Sequence, residues 1–119
     1  MAQQRDLTVD RGSDVAIELH LVEEDNTPKD LTNFFAEAKI KKTYNTTDSD
    51  QIFDFRVSYG SPLGAGIINL LLDRQDTERM KPGRYVYDVE LRNSESVDSN
   101  TTIERILEGK ITVTPSVTR

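Results

Sequence analysis

A nucleophilic triad needs a base beside a Ser, Thr or Cys nucleophile, and the chain offers a single histidine, His20. It lies between Leu19 and Leu21, on the polar side of an alternating stretch, with no loop cluster around it. That placement reads as a surface histidine. Cysteine is absent, which excludes disulfides and thiolate chemistry and leaves the redox compartment undecided. Carboxylates gather at Glu23-Glu24-Asp25, Asp48/Asp50 and Glu95/Asp98. Paired acids could hydrolyse glycosides, but that chemistry also needs a cleft lined with aromatics. The chain has no Trp, and six of its eight Phe and Tyr residues (Phe34, Phe53, Phe55, Tyr59, Tyr85, Tyr87) fall at inward strand positions. The acids therefore read as solubilising loops. Calcium ligation at Asp48/Asp50 or Glu95/Asp98 stays open, although neither has the spacing of a calcium loop. Gly60-Ser61-Pro62-Leu63-Gly64-Ala65-Gly66 could cradle a phosphate, but it lacks a Gly-Lys-Ser/Thr ending and leads into a strand. The basic run Lys39 to Lys42 reads as the solvated side of a strand. No catalytic residue, cofactor or metal ligand is assigned.

The elements that would position any site are extended. The clearest is Lys81 to Leu91, opened by a Pro82-Gly83 turn. Tyr85, Tyr87, Val89 and Leu91 fall on one face of it, and Arg84, Asp88, Glu90 and Arg92 on the other. Gly-x-Tyr entering such a strand matches the corner at which immunoglobulin-type sandwiches bond a Tyr hydroxyl back across the turn, and Tyr85 is the candidate. Alternation also marks Asp6–Asp10, Asp14–Glu23 and Gln51–Tyr59, the last read as one strand with Phe53, Phe55, Val57 and Tyr59 inward. In Ile67–Leu72 the inner set is Ile68, Leu70 and Leu72. Phe34–Lys42 alternates too, with Phe34, Ala36, Ala38 and Ile40 inward, although its Ala, Glu and Lys content also permits a helix. Asp73–Met80 reads as a short helical crossover between opposite sheets, with Met80 in the core. The return strand, Thr102–Thr114, places Ile103, Leu107, Ile111 and Val113 at compatible parity, and Gly109 suggests a bulge or bend. About seven strands separated by turns predict an all-β, immunoglobulin-like antiparallel sandwich.

At 119 residues the expected organisation is one such domain over residues 1–119, with short flexible termini that include the polar residues 1–4. A formal net charge of −6 argues against nucleic acid as a partner. The longest apolar run, Ile67–Leu72, is far short of the roughly 18 residues that span a membrane. The N-terminus lacks the apolar core of a signal peptide, so synthesis in a cytoplasm is expected. Asn45-Thr46-Thr47 and Asn100-Thr101-Thr102 are formally glycosylation sequons and read as loop composition. Apolar residues at outward parity are Phe35, Ile52, Ile67, Leu71 and Ile106. If they cluster they mark an interface; Phe35, Ile67, Leu71 and the two terminal segments are the candidate contact set, for docking through a strand edge or an apolar patch.

Longer stretches carry a family resemblance. They are Arg11-Gly12-Ser13-Asp14, Thr27-Pro28-Lys29-Asp30-Leu31-Thr32-Asn33, Gly66–Leu72 with Thr77 and Met80, Pro82–Val89, Leu107–Val113 and Val117-Thr118-Arg119. Together they resemble the small immunoglobulin-like domain of tailed-bacteriophage virion proteins, and are similar to the N-terminal domain of BppU-type upper-baseplate tail proteins. Asn33 stands where such domains often carry Gly, and Asn also tolerates a left-handed turn. The chain ends at Arg119, without the trimeric stalk or receptor-binding region that follows this domain in the baseplate proteins, which weighs against a direct host-adsorption role. The resemblance implies a non-enzymatic, multi-copy component of the virion tail, neck or baseplate. Its partners would be other virion proteins, with self-association open. The alternatives are a carbohydrate- or cell-surface-binding module and a head decoration protein.

Overall fold

In the computed structural model, residues 3–23, 25–47, 51–93 and 100–115 are described. They form nine strands, one short α-helix and a 3-10 turn at Leu63–Ala65: β1 (Gln3–Gln4), β2 (Leu7–Asp10), β3 (Val15–His20), β4 (Phe35–Lys41), β5 (Ile52–Asp54), β6 (Arg56–Tyr59), β7 (Ile67–Leu72), α1 (Arg74–Glu78), β8 (Gly83–Arg92) and β9 (Ile103–Thr114). The larger sheet runs β1-β9-β8-β4-β5, with β2 also paired to β9, and the smaller runs β3-β7-β6. In immunoglobulin lettering these are the A′-G-F-C-C′ and B-E-D sheets. The fold is an all-β, immunoglobulin-like sandwich. The segment Phe35–Lys41 is strand, so the helical alternative for it does not hold.

The period of two sets the two inner faces. Ile40, Ile68, Leu70, Met80, Val89 and Ile111 are fully buried between the sheets. Phe53 meets Tyr85 edge-on at 6.1 Å and Phe55 meets Tyr87 at 6.2 Å, an arrangement that aromatic quadrupoles favour. Tyr59 reaches across the sandwich, and its hydroxyl accepts the Ala36 amide at 2.8 Å.

Four expectations need correction. Gln51–Tyr59 is not one strand. The chain breaks at Phe55, whose amide donates to Ala38 O at 3.0 Å, and passes from the larger sheet (β5) to the smaller (β6). Residues 3–4 do not fray, because β1 pairs in parallel with Leu107 and Glu108; backbone pairing needs no apolar side chain. The bulge in β9 lies at Ile106, skipped between the pairs Val89↔Leu107 and Glu90↔Arg105, and not at Gly109. It turns Ile106 toward the core and Ile103 outward, leaving Ile103 46% exposed. Gly109 instead marks a close approach: a Cβ there would sit 2.0 Å from Arg5 O.

Candidate functional site

Three surfaces can be weighed, and local sequence explains each. The first is the β7–β8 corner. Asp73 caps α1 by accepting the Asp76 amide at 2.9 Å, which holds its carboxyl below the ordinary aspartate range. Thr77 is fully buried; its Oγ1 accepts the Gly12 amide at 3.0 Å and donates to Ser13 O at 2.7 Å, tying α1 to the β2–β3 turn. Met80 follows into the core. Gly83 then adopts φ 142°, open to glycine alone without strain. The Tyr85 hydroxyl donates back to Lys81 O at 2.7 Å, across the turn. Burial pushes the Tyr85 and Tyr87 hydroxyls above the ordinary tyrosine range. This corner is structural: its polar atoms face one another.

The second surface is the outer face of the larger sheet, where Glu37, Lys39, Lys41, Asp88, Glu90 and Arg105 share a shallow groove with Tyr44 at the rim. Glu37 and Glu90 are cross-strand partners. Glu37 meets Arg92 at 2.8 Å and Lys39 at 3.7 Å, Lys39 also meets Asp54 at 3.5 Å, and Arg105 meets Asp88 at 3.3 Å. Opposite charges neutralise one another along the face, as expected for a solvated sheet surface. Tyr44, 67% exposed, is the aromatic ring it offers most openly to solvent.

The third is the outer face of the smaller sheet. Ile67 and Leu71 lie on it, four residues apart on β7, beside His20 and Ala16 of β3. Leu71 is 39% exposed and Ile67 is half-buried.

These placements decide the candidate contact set. Ile67 and Leu71 share a face, but Phe35 does not join them. It stands on the far side of the sandwich, in a row with Arg92 and Ile103 across the larger sheet. The period of two shows whether a residue points in or out, and not which of two outer faces it reaches. His20 is exposed, with Nε2 3.0 Å from Glu18 Oε1. Of the acids at 23–25, Glu24 lies outside the described residues; Asp25 accepts the Thr27 hydroxyl at 2.6 Å and Glu23 meets Lys29 at 3.5 Å, so these two build a turn, and the Thr27 hydroxyl and amide hold Asp25 below the ordinary aspartate range. The glycine-rich loop closes on itself, the Ala65 amide donating to Pro62 O and the Gly66 amide to Leu63 O. Asn33 takes φ 65°, a left-handed turn. The pairs Asp48/Asp50 and Glu95/Asp98 involve positions outside the described residues. Among the described residues no group of three or more His, Asp or Glu converges as a metal site, and no helix is long and apolar enough to cross a membrane.

Two tethers carry no sequence signal of their own. Tyr87 Oη donates to Arg5 O at 2.6 Å, and Thr77 binds the β2–β3 turn; both join residues more than 60 positions apart. Only the missing side chain at Gly109, opposite Tyr87, hints at the first.

No protein-family model matches the chain, and no curated protein matches it. Among solved structures it is similar to AggA, the major subunit of aggregative adherence fimbriae type I from Escherichia coli, at 13% identity and a TM-score of 0.36, over 92% of this chain and 89% of that one. It is also similar to the second Ig domain of the mouse polymeric immunoglobulin receptor, at 13% identity and a TM-score of 0.38, over 97% and 98% of the two chains.

Proposed function

We propose that the chain is a non-enzymatic structural protein of a bacteriophage particle, in the tail, neck or baseplate, acting by docking onto other virion proteins. The observation that carries the docking part is the solvent face of the smaller sheet, where Leu71 stands opposite Ala16 and Ile67 opposite His20, two apolar residues of β7 on either side of Asn69 at positions where a solvated face usually carries polar ones. The phage part rests on the sequence resemblance described above. The protein would be made in the host cytoplasm and end in the virion; a head decoration protein is the variant in which capsid subunits are the partner.

Quantitative mass spectrometry of gradient-purified particles tests the reading. It expects a fixed copy number, and Leu71→Arg should leave stability within about 0.5 kcal/mol while removing the protein from particles. Absence of the native protein from particles defeats it. Tyr44 favours a second reading, a carbohydrate-binding module, since an exposed ring beside carboxylates and amines can hold a sugar. A glycan array that stays flat eliminates that alternative.

A further inference from the structure

An antiparallel ladder points the amide and carbonyl of successive residues to opposite sides of a strand. The Leu21 amide donates to Gly66 O, in line with the β3–β7 register, so Val15, Ile17 and Leu19 pair toward β7. The backbones of Ala16, Glu18 and His20 therefore point the other way, and among the described residues no strand meets them: β3 pairs with β7 alone. In the usual sandwich the first strand covers this edge. Here β1 and β2 both lie on β9 instead.

The other edges are blunted. β5 is three residues long, β6 is four, and the β1–β2 edge is interrupted at Arg5–Asp6. β3 has six paired residues and none of the proline, glycine, lysine or bulge with which proteins guard an edge. Beside it Leu19 and Leu21 are directed inward and only partly buried. They share an open groove of about 500 Å³ with Ile106 and Leu107 of β9, rimmed by Arg5 and Glu104. An added strand would send every second side chain toward that groove, apolar at Leu19, Leu21, Ile106 and Leu107 and polar along its other walls, and the others to the solvent face, beside Asp14 and Glu18.

We propose that the β3 edge receives an extended segment of a partner protein, alternating apolar and basic residues, as a fourth strand of the smaller sheet. The proposal rests on the docking role above and assigns it an edge. Basic residues suit the partner because the flanking outward side chains include Asp14 and Glu18, on a chain of net charge −6. A second copy would bring the same acids to the seam.

The test uses the full chain and a short peptide alternating valine and lysine, with a peptide of the same composition in separate blocks as control. The alternating peptide should bind, and should slow hydrogen exchange at the Ala16, Glu18 and His20 amides by about tenfold or more; the block peptide should not. Ala16→Pro removes a donor that the β3–β7 ladder does not use, so the variant should fold and lose at least about tenfold in affinity. Glu18→Lys, which leaves the backbone alone, should weaken binding in the same direction. Equal binding of the two peptides, protection on β5 or β6 instead, indifference to both substitutions, or protection that grows with protein concentration alone would each overturn the proposal. Particles that hold the protein at fixed copy number while these amides exchange as fast as in the free protein refute the edge and leave the docking role standing. Peptide capture by a protein absent from particles does the reverse.

Discussion

Gly109→Ala probes the packing that seals the first strand onto the sandwich. The new Cβ would lie 2.0 Å from Arg5 O and 2.7 Å from Arg5 C, where ordinary contact begins at 3.4 Å. The Arg5 carbonyl must retreat by the difference, about 1.4 Å. That carbonyl accepts the Tyr87 hydroxyl at 2.6 Å, and the Arg5 amide donates to Glu108 O at 2.9 Å, so the retreat breaks the first bond and strains the second. Overpacking costs roughly 1–3 kcal/mol, and the buried Tyr87 hydroxyl left without its acceptor adds about 1 kcal/mol. The lower entropy of the unfolded alanine chain returns about 0.4–1 kcal/mol. The net expectation is a loss of about 2 kcal/mol, or a Tm lower by about 8 °C. Urea titration followed by circular dichroism measures it. Tyr87→Phe alone should cost about 1 kcal/mol, but almost nothing in the Gly109→Ala background, because the bond is already gone. A neutral Gly109→Ala, or two losses that simply add, would refute the reasoning.

Thr77→Val removes the bonds that the Thr77 hydroxyl makes to the Gly12 amide and the Ser13 carbonyl at a buried site, and should cost about 2–3 kcal/mol by the same titration; an unchanged midpoint would show that the α1 tether is not needed. Tyr85 and Tyr87 have folded pKa values raised by burial, so the folded state holds protons that the unfolded chain releases. Their contribution is complete below the ordinary tyrosine value of about 10 and fades as pH climbs through the raised values. Denaturation midpoints should therefore fall above pH about 10, less steeply in Tyr87→Phe; a flat profile contradicts the burial argument. Asp73, Asp25 and Asp30 are shifted the other way, each by hydrogen bonds to its carboxylate. Their contribution is complete above the ordinary aspartate value of about 3.9 and is lost as pH falls through the lowered values. A midpoint that stays constant through that acid range would contradict it.

Most inward-facing positions were legible because alternation is a local property of the backbone. Val9, Ile17, Ile68, Leu70, Val89 and Leu91 follow it into the core. Alternation reports the face and is blind to the sheet. Phe53, Phe55, Val57 and Tyr59 keep one parity although the chain changes sheets at Phe55, since both sheets face the same interior. It also fails past a bulge, which is why Ile103 and Ile106 exchange roles. Phe35 parted from Ile67 and Leu71 for the first of these reasons. The open edge of β3 was not visible because it depends on where β1 and β2 pair, a contact between the two ends of the chain.

The most direct measurement of the proposed docking is a density map of a phage particle that contains this chain, at a resolution that separates strands. The account predicts this chain seated with the smaller sheet, including Ala16, Ile67 and Leu71, covered by a neighbouring virion protein, and the Glu37–Lys39–Asp88–Arg105 face in solvent. A map with the neighbour against that charged face and the smaller sheet bare would contradict it.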